Sequence, residues 1–275
     1  MNFKYFSRNG TVLPIEQAVV PLSNIEYSYG FGVYETVRVG NDIAYFLKDH
    51  TERLIESARF IGLEHPFTPE FVEKSILGLA QKTDADSYNL KVLLIGGATK
   101  EAATLSILCL NPLFPDKKLY REGASFITRA HERAYPHAKT LNMLGSYLAF
   151  RDAKAAGAYD ALLVNRNGFI TEGTRTNFFC MNGKAIFTPR ERDILLGVTR
   201  KAVLKVAFDN GFELVERDIK PSDLHLYDGA FITSSSSKIV PARSIDDHVF
   251  GMPPAALQEL MRLFDAFLAD CKGVL

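Results

Sequence analysis

Cysteine is scarce: Cys109, Cys180 and Cys271 are the only three in 275 residues. The number is odd, the spacing is wide and no CxxC occurs, which argues against a disulfide framework or a structural zinc site. All three read as ordinary thiols of a reducing compartment, and Cys109 and Cys180 lie in apolar runs where core packing suits them. Excess charge is missing too. Lysine plus arginine and aspartate plus glutamate both total 32, so the formal net charge is zero. Broad attraction to nucleic acid or to an anionic membrane is not expected, although a local basic pocket for one phosphate stays open. No stretch approaches the roughly 20 apolar residues of a membrane span. The opening MNFKYFSRNG is too polar for a secretory signal. The expectation is a soluble, cytoplasmic protein. The six histidines are scattered without HExxH or another metal spacing, so no metal site is expected. GxSxG, P-loop and GxGxxG patterns are absent, so hydrolase, kinase and dinucleotide readings lack their local anchors.

What is present is an ordinary globular balance, 47% apolar and 23% charged. Lys4–Phe6 and Thr11–Pro14 flank Asn9-Gly10, a strong hairpin signal. Gly32–Val39 reads as a strand, followed by a turn at Gly40-Asn41-Asp42 and a second strand at Ile43–Phe46. Leu54, Ala58 and Ile61 mark one helix face ending at Gly62, and Pro69–Gln81 marks a second helix. Leu90–Ile95 and Thr104–Leu110 are apolar strands. Two prolines and a charge cluster then mark a linker at 112–120, between an expected domain at 1–111 and a second at 121–275.

In the second half, Ser125–Ala130, Tyr159–Asn165, Phe169–Thr171, Asn177–Met181, Ala185–Thr188 and Phe231–Ser237 read as strands. Met143–Ala156, Gly197–Asn210 and Pro253–Ala269 read as helices, the first two followed by Gly157 and Gly211 as stops.

Lys139 lies at an irregular strand–helix junction, in His137-Ala-Lys139-Thr-Leu-Asn142. Alone it could be a solvated lysine. Glu172, directly before Gly173 and after an apolar strand, is poorly explained as a surface charge. A carboxylate of this kind can keep a pyridine nitrogen protonated, and a lysine can serve as Schiff base and proton shuttle. Two segments could hold a phosphate. Leu195-Leu-Gly197-Val198-Thr199-Arg200 opens a helix, and Thr233–Ser237 offers hydroxyls and N–H groups after a strand. Arg53, in His50-Thr-Glu-Arg53-Leu54, could add fixed charge and bidentate geometry. Singly, each also reads as a cap, a turn or a surface arginine.

Together, HxxRL, K-x-L-N, T-E-G-x-x-x-N-F-F, L-x-G-V-T-R and F-I-T-S-S-S-S resemble the fold-type IV (class IV) pyridoxal-phosphate (PLP) enzymes. That family includes branched-chain aminotransferases, D-amino-acid transaminases, R-selective amine transaminases and aminodeoxychorismate lyases. The resemblance runs from near Tyr27 to Pro241. It implies an α+β, two-domain chain with a smaller α/β domain and a larger pseudo-barrel, working as a homodimer with PLP. It implies that Lys139 forms the Schiff base and that Glu172 meets the pyridine nitrogen. Arg53, Val198, Thr199 and Ser235 would hold the phosphate, with Asn177 in the same turn as Glu172. The partners implied are an amino donor and a 2-oxo acid.

Lys139-Thr-Leu-Asn142-Met-Leu144 looks more like the D-amino-acid transaminase and lyase branches. Branched-chain enzymes usually carry a tyrosine five residues after the lysine, where Leu144 stands here. The Arg-x-His carboxylate clamp of the best-known D-amino-acid transaminases is missing from Leu93–Lys100, and Phe31 replaces an acidic residue in Gly30-Phe31-Gly32. A carboxylate in a partly dry pocket still needs a cation or several N–H donors. Arg175 is the first choice, with Arg129 and Arg133 behind it. Tyr29, Tyr34 and Ser236 complete the expected substrate residues. The favoured expectation is a D-amino-acid transaminase. Aminodeoxychorismate lyase and branched-chain transamination are the alternatives, and a non-catalytic PLP-binding sensor is disfavoured because both Lys139 and Glu172 are present.

Overall fold

The computed structural model describes residues 3–112 and 114–271. Leu113, inside the expected linker, and residues 1–2 and 272–275, at the outer ends of the expected domains, lie outside the described residues. The described chain divides into two compact units, one of 3–112, 137–142 and Cys271, the other of 114–136 and 143–270.

In the first unit, β1 (Tyr5–Arg8) and β2 (Thr11–Pro14) pair as the expected hairpin. Asn9 and Gly10 at its tip have φ of 48° and 80°, the left-handed values such a tight turn requires. Then come α1 (Ile25–Ser28), β3 (Gly32–Gly40), β4 (Ile43–Ala44), α2 (Leu47–Phe60), α3 (Pro69–Ala80), β5 (Ser87–Ile95) and β6 (Thr104–Leu110). The strands form one antiparallel sheet in the order β2-β1-β6-β5-β3-β4. Period-two alternation puts Val33, Val37 and Val39 of β3, Leu90, Val92 and Leu94 of β5, and Leu105 and Ile107 of β6 into one core. Leu54 and Ala58 of α2 and Val72, Ile76 and Leu79 of α3 cover it. Thr68 caps α3 by accepting from the Phe71 N–H at 3.2 Å, and Pro69 occupies the first turn, where its missing N–H costs nothing.

Residues 137–142 belong to this unit because they run along β3. Tyr34 N–H donates to the Lys139 carbonyl at 2.9 Å, Leu141 N–H donates to the Gly32 carbonyl at 2.8 Å, and Val33 bridges Thr140. This close approach suits a glycine at 32, where a Cβ would stand 2.8 Å from both the Leu94 carbonyl oxygen and the Leu141 side chain.

The second unit holds α4 (Lys117–Glu122), β7 (Ala124–Ala130), α5 (Leu144–Ala155), β8 (Asp160–Val164), β9 (Ile170–Gly173), β10 (Asn177–Asn182) and β11 (Ala185–Thr188). It continues with α6 (Val198–Asp209), β12 (Glu213–Glu216), β13 (Gly229–Ser234), β14 (Lys238–Ile245), β15 (His248–Val249) and α7 (Ala255–Ala269). The order β10-β13-β14-β7-β8-β9 returns to β10, so these six strands close into a barrel, with β11 and β12 extending beyond β10. The closing pair is Glu172 and Asn177, one residue on each side of a tight turn. Phe126, Leu162, Ile170, Phe178, Cys180, Ile232 and Val240 pack together in the core of this unit. The fold is α+β, with a smaller α/β unit and a larger barrel unit.

Several elements differ from the sequence reading. The strand expected to run to Ser237 ends at Ser234, because the serines turn the chain into β14 through Ser234 paired with Lys238. β14 itself gave no strand signal, since Pro241 sits inside it and a register shift falls between Ala242 and Ser244. The short α1, β12 and β15 had no usable periodicity, and α4 occupies Lys117–Glu122, overlapping the expected linker.

Candidate active site

In the first unit, Lys139 is fixed by its own backbone. Its N–H donates to the Ser57 hydroxyl of α2 at 3.1 Å, and its carbonyl accepts from Tyr34. Its Nζ lies 4.7 Å from the Tyr34 ring centroid, and Lys91 Nζ lies 3.4 Å from the same centroid. Tyr34 is buried, so the ring is a fixed surface between sheet and lysine.

Arg53 projects from α2 onto Glu35 of β3. Nε meets Oε1 at 2.6 Å and Nη2 meets Oε2 at 2.8 Å, a bidentate pair. His50 Nδ1 lies 2.7 Å from the same Oε2, and both Glu35 and His50 are 1% exposed. Burial alone would push the Glu35 carboxyl up, but the Arg53 guanidinium, and His50 with it, hold it well below the usual carboxylate range. Burial pushes His50 down against the pull of Glu35, which favours a neutral ring donating its Nδ1–H to the carboxylate.

A pH dependence follows. A carboxyl that titrates lower when folded contributes stability that is complete above its unfolded range and is lost as the pH falls through and below it. Denaturant midpoints measured against pH should show an acid-side loss in the wild type. The Glu35→Gln variant should be weaker at neutral pH and flatter on the acid side; an acid limb of unchanged slope would contradict the assignment.

In the second unit, Glu172 is buried at the end of β9. Its Oε1 accepts from Arg133 Nη1 at 3.0 Å and its Oε2 from the Leu195 N–H at 3.2 Å. Asn177 donates from Nδ2 to the Leu195 carbonyl at 2.7 Å, so both ends of the 172–177 turn grip the segment that leads into α6. Beneath the turn, buried Asp160 accepts from Thr174 Oγ1 at 2.5 Å and from the Ala161 N–H at 2.9 Å, and burial raises its pKa. Gly197 precedes α6 without a side-chain cap, so the first amides of this 12-residue helix, Val198 and Thr199 among them, have no acceptor within the helix. Thr199 Oγ1 and Ser235 Oγ lie 3.4 Å apart, which sets two hydroxyls beside that helix end.

A Cβ on Gly197 would stand 2.0 Å from Asn177 Oδ1. Gly197→Ala should therefore cost about 1–3 kcal/mol. Gly78, inside α3 with nothing within 4 Å of the added carbon, is the control. Alanine there should stabilise by about 0.5–1 kcal/mol. Equal denaturation midpoints for the two variants would contradict the packing argument.

The expected residues thus fall into two groups. Lys139, Arg53 and Tyr34 belong to the first unit, and Glu172, Asn177, Val198, Thr199, Ser235 and Ser236 to the second. Arg175 is exposed, with its guanidinium 4.3 Å from the Phe150 ring centroid. Tyr29 is 83% exposed. Of the second-choice cations, Arg133 pairs with Glu172, whereas Arg129 pairs with Asp152 near the surface. Sequence reasoning passed over Glu35, Ser57 and Asp160. Glu35 left a signal, because it occupies a core-facing position in the stripe Val33-Glu35-Val37-Val39.

Residues 32–245 match the family described as Amino-transferase class IV. The chain belongs to the class IV aminotransferases. A D-alanine aminotransferase of Bacillus licheniformis is 31% identical over 253 residues, covering 88% of this chain and 89% of that protein. A branched-chain-amino-acid aminotransferase of Pseudomonas aeruginosa is 26% identical over 245 residues, covering 81% and 78%. The solved structure of a T.th. branched-chain amino acid aminotransferase with pyridoxamine 5'-phosphate superposes with a TM-score of 0.88 at 26% identity, covering 98% of this chain and 94% of that one.

This class IV aminotransferase accordingly uses PLP, and its substrates are an amino acid and a 2-oxo acid. The groups present suit that cofactor. A primary amine suits an aldehyde, a buried carboxylate suits a pyridine N–H, and an uncapped helix end beside two hydroxyls suits a phosphate. No helix among the described residues is long and apolar enough to cross a membrane.

Proposed function

We propose that this aminotransferase moves an amino group between an amino acid, with D-amino acids favoured, and a 2-oxo acid in two alternating half-reactions. The observation that carries the chemistry is the hold on Glu172, a buried carboxylate aimed by Arg133 and the Leu195 N–H. In this reading Glu172 keeps the pyridine nitrogen protonated. Lys139 carries the cofactor and, once released, takes the proton from the substrate Cα. Arg53, the N–H groups of Val198 and Thr199, and Ser235 hold the phosphate, and Asn177 keeps the Glu172 turn on the segment that leads into α6. When bound, PLP supplies the electron sink that makes the Cα proton acidic. Arg175 binds the substrate carboxylate, with Tyr29, Tyr34 and Ser236 lining its place.

Leu144 at the fifth position after Lys139 supports the D-amino-acid preference, as does the D-alanine aminotransferase relative. A second reading, branched-chain L-amino-acid transamination, is supported by relatives and solved structures of that name. The lyase reading shares the K-x-L-N pattern but has no further support. Free thiols at Cys109, Cys180 and Cys271 support a cytoplasmic location. Exposed Leu144, Tyr147 and Leu148 on α5 support a homodimer.

The test is the visible spectrum of the holoenzyme with D-alanine, D-glutamate and their L-enantiomers added separately. Loss of the cofactor band with D-substrates alone is expected. Loss with L-substrates alone would replace this reading with the branched-chain one, and a band that no amino acid alters would overturn transamination of amino acids.

A further inference from the structure

Glu35 stands where its strand offers only apolar neighbours. Val33, Val37 and Val39 share its face of β3 and pack into the core under α2, yet position 35 is a carboxylate. Burying an ion pair is a poor way to stabilise a fold, because desolvation offsets most of the attraction and an apolar replacement often does as well. The Glu35–His50–Arg53 cluster therefore calls for another role. Its geometry supplies one. Two parallel bonds of 2.6 and 2.8 Å fix the plane of the Arg53 guanidinium, while His50 at 2.7 Å holds the carboxylate that fixes it. The neighbouring residue on β3, Tyr34, holds the carbonyl of Lys139. Adjacent positions of one strand thus locate both the lysine and the guanidinium.

We infer that Glu35, steadied by His50, is a positioning residue that orients Arg53 toward the phosphate of the cofactor. This rests on the proposed role of Arg53 as a phosphate ligand. The phosphate is the part that separates PLP from pyridoxal, so the two ligands isolate the effect from general damage to the fold.

The full-length chain, stripped of cofactor, would be titrated with PLP and with pyridoxal, and the ratio of the two dissociation constants compared among variants. Glu35→Gln should weaken PLP at least about tenfold while leaving pyridoxal within about twofold. Glu35→Asp, which keeps the charge but shortens the reach, should lower the preference for PLP by a smaller factor and serves if the glutamine variant does not fold. Arg53→Met separates the two claims. If Arg53→Met loses the PLP preference and the Glu35 variants keep it, the positioning role is overturned and the phosphate role stands. If Arg53→Met keeps the preference, the phosphate role fails and the positioning role fails with it.

Discussion

Lys139→Ala should lower the transamination rate by about 10⁴-fold or more, because one amine both carries the cofactor and moves the Cα proton. The fold should be nearly unchanged. Two bonds that tie residue 139 into the first unit come from its backbone, the N–H to Ser57 and the carbonyl from Tyr34, and alanine keeps both. The side chain gives up its place near the Tyr34 ring, at 4.7 Å. Denaturation midpoints should therefore stay close to the wild type while kcat collapses. A small primary amine added to the variant should restore part of the rate, since the missing group is a base. A variant within tenfold of the wild-type rate would refute the catalytic role of Lys139.

The second large effect is at Glu172. Glu172→Ala takes the carboxylate away from Arg133, which is 15% exposed. Breaking such a buried pair from one side typically costs about 3–5 kcal/mol. Glu172→Gln keeps the shape and an acceptor for Arg133, so it should fold better, but it gives up the charge proposed to act on the pyridine nitrogen. Its kcat should fall on the order of 10²–10³-fold. The double variant Glu172→Gln/Arg133→Met distinguishes the structural from the chemical role. Removing both charges should recover stability without recovering rate. If the double variant regained activity along with stability, Glu172 would be a structural partner of Arg133 and nothing more.

The sequence carried the fold where periodicity is strong. The Asn9-Gly10 hairpin, the β3–β5–β6 strands, α3 after Thr68-Pro69 and α6 after Gly197 all appear where their patterns place them. It failed at β14, where Pro241 breaks the pattern of a strand held on both sides by neighbours. Barrel closure was legible only through the family resemblance, because it is one pairing, Glu172 with Asn177, made across a turn. The candidate site was legible as motifs, and the contacts that hold it were not. Arg133, a second choice for the substrate carboxylate in the sequence, pairs with Glu172 in the structure. Glu35 and Asp160 were passed over because a single carboxylate inside an apolar strand has no local partner in sequence. Arg53 stands 18 residues from Glu35, and Thr174 stands 14 from Asp160. Such pairings depend on register and helix phase, which appear only once the strands are assembled.

The most direct test of the central claim is to reduce the holoenzyme with borohydride, digest it and locate the cofactor's mass by peptide sequencing in a mass spectrometer. The adduct is expected on the peptide containing Lys139 and on that residue alone. An adduct on Lys91, whose amine lies 3.4 Å from the same tyrosine ring centroid, or on any other lysine, would contradict it.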